Sequence, residues 1–529
     1  MISTNANSVP FLVKVENLFL KTMSPGSSFI IRNEGLTVFG LICLQLLLNL
    51  VLAERFALPW GDEILYTDPS VNFIRHDGFS SMSWWSQPKE AFWAANVPLH
   101  QFLLVGWLTI LPFGVTSVRA LNFVLLAATV FVIWRTVRSR SLCKSAPLRV
   151  CMVTLLLTGA GVTFSIRTGR PDAITMLVAA LVFACVQIEE RRRQMLGLII
   201  LGALSTWAGL QLCAFLGILG ALLTFLNPGR FFKPTFRYST GCMLGALILF
   251  LLYNRFGVLY YFLRETFASN HMFTGDVMRT VSGPETAKFR SQLVSRILPS
   301  LSQLNTIYLI DRSYVAVLGT MLIGFTMELF ATKRISRISM VGTLAGLTIP
   351  WAMFVVGKYP IYYHWMLYLV VVVCMIITFS RLIEVRQQGS LIIVCIASLI
   401  AIGTGWPLSV CEAIKNWESR SQSRIETVLA PYVHETDVAC TDSAAWFAAK
   451  KKCRTTFYYL YSGSTLFPDW TRKEKESVTV IIVDPENRKK IHDFPGNWKV
   501  VASENHSNVN FFPYAPHFFN IEVYRKAGN

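Results

Sequence analysis

Long stretches without a charged residue recur along this 529-residue sequence and constrain its fold more than any other feature. A helix that crosses ~30 Å of hydrocarbon needs about 20 mostly apolar residues, and a soluble core seldom repeats such runs. Charged residues make up 15% of the chain, against about a quarter in a typical soluble protein. The sequence therefore predicts a polytopic α-helical membrane protein. The uncharged stretches are 150–166, 173–188, 195–226, 238–253, 338–357 and 359–380.

Many lysine and arginine residues fall in short connections between the apolar runs, which is typical of cytoplasmic loops. With the N-terminal segment 1–34 in the cytoplasm, eleven spans place every basic connection on one side, and 54–114 and 254–312 become outer loops. The net charge of +18 thus reflects membrane topology and does not indicate nucleic-acid binding. Together the spans form a transmembrane domain over 35–410. The predicted spans are 35–53, 115–134, 150–166, 173–188, 195–208, 211–226, 238–253, 313–332, 338–357, 361–380 and 390–408.

The apolar segment 97–112 is short for a span. If it were counted as one, every later loop would move to the opposite side of the membrane. Its His100, Trp107 and flanking prolines favour a helix that lies in the membrane interface. We therefore predict that 62–112 forms juxtamembrane helices on the outer face.

Residues 411–529 have a different character, with mixed charged and aromatic residues and short β-rich runs. This pattern predicts a small extracytoplasmic α/β domain. Cys440 and Cys453 fall within it, and a disulfide between them is one option outside the cytoplasm. The predicted strands lie in 456–460, 478–484, 498–502 and 520–525, and the predicted helices in 419–432 and 443–451.

Two groups of acidic residues fall on the predicted outer face. The first lies in PWGDEILYTDPS (59–70), which contains Asp62, Glu63 and Asp68, and the second is Asp172 in SIRTGRPDAITM. A purely structural interpretation remains open, with the first group a solvated collar and Asp172 a helix cap. Asp68 precedes a proline, which favours a turn or a cap.

Basic residues recur on the same outer face, where the topology rule predicts few of them. Arg75 and Lys89 follow the first acidic group, Arg167 and Arg170 precede Asp172, and a lysine occurs in VVGKYPIYYHW. These exceptions indicate an anionic ligand, and phosphate is the natural one at a membrane surface. A carboxylate among such cations suits sugar transfer from a lipid phosphate, because it accepts a proton while the cations stabilise the leaving group. A single displacement of this kind inverts the anomeric centre.

The order of the motifs resembles that of the GT-C superfamily of glycosyltransferases. W-G-D-E-x-x-x-Y-x-D-P follows the first span, VPLHQFLLVGWLTILPFGVTSVRALN comes next, and RPDA opens the fourth span. This order is similar to the family 39/83 branch, which includes protein O-mannosyltransferases and lipid A aminoarabinose transferases. The resemblance covers about 35–410. It implies an enzyme of the bacterial inner membrane that uses a polyprenyl-phosphate sugar on the periplasmic side, with a lipid, glycan or protein acceptor.

By position in these motifs, the resemblance implies that Asp62 is the catalytic base, that Glu63 supports it, and that Asp172 helps to position the acceptor. Relatives often read Lys-Pro-Pro-Leu where this chain has 96–99 as Asn-Val-Pro-Leu, so a phosphate-contacting lysine is missing there. The residues assigned to the donor phosphate are Lys358, Arg75, Lys89, Arg167 and Arg170, and those assigned to the donor or acceptor pocket are Tyr66, His100, Tyr359, Tyr362 and Tyr363.

The main alternative is a multi-span transporter or flippase of a lipid-linked or anionic substrate. Such folds usually carry inverted repeats and charges near the bilayer midplane, and neither is evident in this sequence. A phosphoethanolamine-type transferase would need a nucleophile and metal ligands in its soluble domain. The candidates there, His434, Asp437, Asp442 and His492, lack convincing ligand spacing. The glycosyltransferase mechanism requires no cofactor, and the sequence leaves open whether a divalent metal binds.

Overall fold

The structure is a computed structural model that describes residues 32–56, 58–84, 87–268, 311–355, 363–385, 390–458, 472–506 and 520–527. Helices dominate the chain up to about residue 430. They are α1 (Arg32–Leu52), α2 (Gly61–Ile74), α3 (Leu99–Leu108), α4 (Val115–Ser139), α5 (Ala146–Thr158), α6 (Ala160–Ile166), α7 (Asp172–Val186), α8 (Arg191–Ala208), α9 (Leu210–Leu226), α10 (Pro228–Arg255), α11 (Leu259–Leu263), α12 (Arg312–Thr332), α13 (Arg337–Val355), α14 (His364–Glu384), α15 (Ser390–Gly403), α16 (Trp406–Lys415) and α17 (Gln422–Leu429).

Six of the described helices are long and apolar enough to cross a membrane, or seven if α5 and α6, which meet at a 50° bend, form one span. Each of the eleven predicted spans overlaps one or two of the described helices, although α7 and α9 are shorter apolar helices. Whether all eleven cross the membrane stays a prediction. Helix α3 has ten residues, about 15 Å, which is too short to cross ~30 Å of hydrocarbon.

The helix bundle is organised around α14, which is buried along most of its length, whereas α1 and α10 expose apolar side chains. Exposed apolar faces on membrane-spanning helices are the surfaces that contact lipid. Helices α8 and α10 pack closely because glycines at their interface leave room for backbone contact. A Cβ atom on Gly241 or Gly245 would collide with the backbone of Ile199 or Ala203.

The C-terminal part of the chain contains a five-stranded mixed sheet in the order β2-β1-β3-β5-β4. Strand β1 is parallel to both β2 and β3, and β5 is antiparallel to β3 and β4. Cys440 and Cys453 are buried free thiols in separate hydrophobic clusters, so the structure does not support a disulfide between them. The elements are β1 (Val438–Thr441), α18 (Trp446–Lys452), β2 (Thr455–Tyr458), α19 (Arg472–Ser477), β3 (Val480–Val483), a 3-10 helix (Pro485–Asp493), β4 (Trp498–Glu504) and β5 (Ile521–Lys526).

A buried ion pair joins this C-terminal region to α2. Lys450 of α18 contacts Asp68 Oδ1 at 2.8 Å and donates to Asn72 Oδ1 at 2.6 Å, and the Lys450 and Asp68 side chains are both fully buried. Asp68 also accepts from Ser81 Oγ and from the backbone N–H of Ser83. Asp68 is therefore not a turn or cap residue: α2 continues through it and the following proline, and its carboxylate holds a lysine more than 370 residues away in the sequence.

We expect Lys450→Met to lower the free energy of unfolding by about 3–5 kcal/mol, because it leaves the Asp68 carboxylate buried without its cation. Unfolding in mixed micelles with increasing SDS would measure this loss. Lys451→Met is the matched control on the same helix, since Lys451 pairs with Glu426 at the surface and such pairs contribute about 0–1 kcal/mol. Equal effects of the two substitutions would contradict the structural role of Lys450.

Candidate active site

Helix α2 brings two of the predicted site residues onto one face, since Asp62 and Tyr66 are four residues apart. Asp62 lies in the first turn, where the helix dipole stabilises a carboxylate. Burial raises the pKa of the Asp62 carboxyl, and the neighbouring Arg170 opposes that rise. Burial also raises the pKa of the Tyr66 hydroxyl, which interacts with both Arg170 and Asp62. The tyrosine is therefore a neutral group beside the carboxylate.

Arg170 bridges the two acidic residues that the sequence places more than a hundred positions apart. Its Nη1 forms an ion pair with Asp62 Oδ2, and its Nε donates to Asp172 Oδ2 at 2.9 Å. Its guanidinium also lies 5.3 Å from the Trp60 ring. The Arg170 side chain is 2% exposed and that of Asp172 is fully buried, whereas the Asp62 side chain is 24% exposed. Asp62 is thus the carboxylate of this cluster that a substrate could reach.

Asp172 is held on both of its oxygens. Arg170 occupies Oδ2, and the indole N–H of Trp365 donates to Oδ1 at 3.1 Å. Pro171 is the N-cap residue of α7 and Asp172 is its first helical residue, with no side-chain cap hydrogen bond, so the structure does not support the interpretation of Asp172 as a helix cap. A carboxylate that is buried and already bonded on both oxygens is suited to orienting Arg170.

Glu63 faces away from this cluster and pairs with Arg119 of α4. Arg119 Nε donates to Glu63 Oε1 at 2.8 Å and Nη2 donates to Oε2 at 2.6 Å, with both side chains fully buried. Arg119 Nη1 also donates to the carbonyl of Ala53 at 2.6 Å. Gly169, at φ +55°, makes room for this pair, because a Cβ there would lie 2.7 Å from Glu63 Cγ. The buried ion pair with Arg119 indicates a structural role for Glu63 at the site.

The predicted phosphate-binding cations differ in what they contact. Arg167 is fully buried, donates to Asn49 Oδ1 through Nε (3.2 Å) and Nη2 (2.5 Å), and pairs with no carboxylate in the part of the chain that the structure describes. Burial lowers its pKa to about 9, and Arg119 adds to that effect. Arg75 donates to the carbonyls of Lys450 and Cys453 at the end of α18. Of these two arginines, Arg167 is the one whose fully buried positive charge an added phosphate would stabilise.

The remaining predicted residues are distributed as follows. Lys89 donates to the backbone carbonyl of Trp84 at 2.7 Å. Tyr363 packs against the main hydrophobic core. Lys358, Tyr359 and Tyr362 lie outside the described residues, so their predicted roles stay predictions.

His100 of α3 is fully buried. Burial lowers its pKa to about 4, and the nearby Asn122 amide partly opposes this decrease. Neither ring nitrogen of His100 has hydrogen-bond geometry with a described residue, and the same is true of the Gln101 side-chain amide and Thr67 Oγ1. Asn122 in turn donates to the carbonyl of Arg170 at 2.9 Å. Buried polar atoms without partners mark places where water or ligand completes the hydrogen bonds, so this group adjoins the Arg170 cluster as a candidate pocket wall.

Solved structures resemble this fold over most of its length. ArnT from Cupriavidus metallidurans bound to undecaprenyl phosphate aligns with a TM-score of 0.56 over 92% of this chain and 97% of that chain, at 12% identity. The Archaeoglobus fulgidus oligosaccharyltransferase gives 0.49 over 84% and 68% at 10% identity, and the arabinofuranosyltransferase AftD from Mycobacteria gives 0.47 over 93% and 40% at 12% identity. No family model and no curated protein sequence matches the chain.

The chain has the GT-C fold. The ArnT alignment carries this conclusion, and at 12% identity it shows the fold and not the reaction. The GT-C resemblance inferred from the sequence motifs is thereby confirmed at the level of fold.

Sequence reasoning missed several residues that this GT-C fold brings to the site. Asp311 caps the start of α12 through Ser313 and the backbone N–H of Tyr314, and its Oδ2 lies 3.5 Å from His364 Nδ1, next to Trp365. An aspartate just before an apolar run is a signal for the cap, but nothing local indicates the histidine.

Asn96 is the residue found where relatives often carry lysine, and its amide donates to Tyr66 Oη at 2.7 Å. The backbone carbonyl of Asn96 accepts from Tyr253 Oη at 2.5 Å, so α10 also holds this loop. Asn96 therefore positions a residue next to Asp62 and carries no charge of its own.

Groups of three or more histidine, cysteine, aspartate or glutamate side chains placed to hold a metal ion do not occur among the described residues.

Proposed function

We propose that the protein is an integral-membrane glycosyltransferase that transfers a sugar from a polyprenyl-phosphate donor to a lipid, glycan or protein acceptor. The observation that carries the proposal is the partly exposed Asp62 carboxylate, which Arg170 bridges to the buried Asp172 within a GT-C fold. The ArnT structure with the similar fold holds undecaprenyl phosphate, which supports a donor of that class.

In the proposed reaction, an acceptor hydroxyl or amine attacks the anomeric carbon of the donor sugar while Asp62 accepts the proton. The bond between the anomeric carbon and the phosphate oxygen breaks, and polyprenyl phosphate leaves with the bonding electrons. Asp172 orients Arg170, which holds the Asp62 carboxylate in place. A single displacement inverts the anomeric centre.

The leaving phosphate gains negative charge and therefore needs cations, which replace a separate general acid. Arg167 is our leading candidate, because it is a buried cation whose described side-chain hydrogen-bond partners are uncharged oxygens. Lys358 is the second, on the strength of the sequence resemblance. Arg75 and Lys89 also donate to backbone carbonyls, and their phosphate roles stay predictions from the sequence.

We further propose that the enzyme resides in a bacterial inner membrane with the Asp62 cluster and the C-terminal sheet on the periplasmic side. The positive-inside distribution of basic connections supports this orientation. Donor and acceptor would then meet in the cell envelope, where lipopolysaccharide is one acceptor of the lipid class.

Purified protein incubated with radiolabelled undecaprenyl-phosphate sugars and with separate lipid A, glycan and peptide acceptors tests the proposal. We expect label to move into one acceptor class, and NMR of the product to show an inverted anomeric configuration. A transporter or flippase would instead move the labelled donor across a vesicle bilayer without transferring the sugar. Retained configuration would rule out the single displacement.

The pH dependence tests the Asp62–Arg170 pair. A base must be ionised, so the rate is lost as the pH falls through the raised pKa of Asp62 and is full above it. Arg170→Gln removes the cation that opposes the rise, so we expect the acid limb of kcat/KM to move to higher pH. Arg170→Lys keeps the charge and should shift the limb less. An acid limb that is the same in Arg170→Gln and in the unsubstituted enzyme would contradict this assignment.

A further inference from the structure

An apolar cavity of about 620 Å³ lies between helices α7, α8, α9, α10, α13 and α14. Its volume falls within the ~300–1,000 Å³ of typical ligand pockets. Most of its wall is aliphatic, with Ala180, Leu198, Leu219 and Val373 among the lining residues. Such a wall suits a hydrocarbon chain.

The cavity has a polar mouth at the end of the bundle that lies away from the Asp62 cluster. Helix α7 begins with Asp172 at the site and ends beside Gln187 at the mouth, 15 residues later, which is about 22 Å of helix. Helix α14 shows the same arrangement, with Trp365 at the site and Arg381 at the mouth. The cavity follows α14 from Met366 to Arg381, so it extends over most of that helix.

Three exposed arginines from different helices converge at this mouth: Arg230, Arg337 and Arg381. None of them forms an ion pair within the described ranges. Arginines in neighbouring connections do form ion pairs, since Arg140 pairs with Glu189 and Arg193 pairs with Glu190. The mouth therefore carries positive charge that the described protein does not neutralise.

We propose that this cavity binds an anionic glycerophospholipid, with an acyl chain in the apolar body and the phosphate at the three arginines. Basic pockets between membrane helices on the cytoplasmic side are the places where anionic lipid head groups bind. The site is distinct from that of the glycosyl donor, because the donor phosphate must lie beside Asp62. A phosphate there cannot also reach arginines about 22 Å away along α7. The lipid is a resident that fills the space between α7, α9 and α14 and stabilises their packing.

The test uses the full-length protein in detergent, with added phosphatidylglycerol, phosphatidylcholine or undecaprenyl phosphate, and measures bound lipid by native mass spectrometry. We expect retention of phosphatidylglycerol over phosphatidylcholine. Replacing the three arginines by glutamine should weaken phosphatidylglycerol binding about 125-fold, since each basic residue near the head group contributes about a fivefold factor. These arginines are exposed, so the variant should remain folded.

The matched control replaces Arg191, Arg192 and Arg193 by glutamine, which removes the same charge from the same basic face without touching the cavity. It should leave binding within about twofold. Leu219→Trp fills the apolar body and should abolish retention of the lipid, whereas Ile200→Trp, on an exposed face of α8, should not.

Equal binding of phosphatidylcholine, or an equal loss in the Arg191–Arg193 control, would overturn the proposal. Undecaprenyl phosphate that displaces phosphatidylglycerol from the cavity would also overturn it, because the cavity would then belong to the donor chain. This readout is a binding measurement, so it does not depend on whether the protein transfers a sugar.

Discussion

Asp62→Asn is expected to lower the rate of sugar transfer by about 10²–10⁴-fold, the usual contribution of a general base. The amide keeps the size of the side chain and one oxygen for Arg170, but it cannot accept a proton from the acceptor. Because Asp62 is the partly exposed carboxylate of the cluster, its loss should affect kcat more than the binding of the donor. Steady-state kinetics with a labelled polyprenyl-phosphate sugar would separate the two.

Asp77→Asn provides a control in the same outer region. Asp77 pairs with Arg454 of the C-terminal region, and that arginine is largely exposed, so the substitution should leave transfer within about twofold. Donor retention by the Asp62 variant, measured by direct binding, would show that the pocket survives. Near-normal turnover of Asp62→Asn would place the base elsewhere, with the Asp311–His364 pair as the next candidate.

Removal of either partner of the Glu63–Arg119 pair is expected to lower the free energy of unfolding by about 3–5 kcal/mol, as much as the loss predicted for Lys450→Met. Both side chains are fully buried and joined by two hydrogen bonds, so Glu63→Leu leaves a cation in an apolar site and Arg119→Met leaves an anion. The double variant buries no unpaired charge. It should therefore be more stable than either single variant.

Unfolding in mixed micelles would measure these differences, with Arg140→Gln as the control. Arg140 pairs with Glu189 at the surface, where loss of the pair should change stability by less than about 1 kcal/mol. The same variants bear on the predicted catalytic role of Glu63. If Glu63→Leu is as stable as the unsubstituted protein yet inactive, Glu63 takes part in the reaction and the structural assignment is wrong.

The predicted strands in the C-terminal region show where sequence patterns suffice. Strands β2 to β5 overlap the predicted runs because each run has several β-branched or aromatic residues. Strand β1 (Val438–Thr441) was missed although it lies at the interior of the sheet, since its sequence VACT has two β-branched residues and no aromatic one. The hydrogen bonds of β1 with β2 and β3 stabilise its extended conformation, which its own sequence does not indicate.

Asp68 and its proline show the opposite case, in which a local signal misleads. A proline normally interrupts a helix, yet α2 continues through Pro69 to Ile74. The contacts of Asp68 with Lys450 and with the loop at Ser81 come from distant segments. Tertiary contacts outweighed the local preference.

The sequence by itself determined that this is a membrane protein, that its apolar runs are helices, and that Asp62 and Asp172 both belong to the predicted outer face. These conclusions follow from hydrocarbon, which excludes charge and unpaired backbone groups over lengths that can be read directly. Only the tertiary structure decided which charges pair: Arg170 with Asp62, Arg119 with Glu63 across 56 positions, and Trp365 with Asp172 across 193. Such pairings depend on how the helices pack against one another, and the spacing of hydrophobic residues in the sequence does not determine that packing.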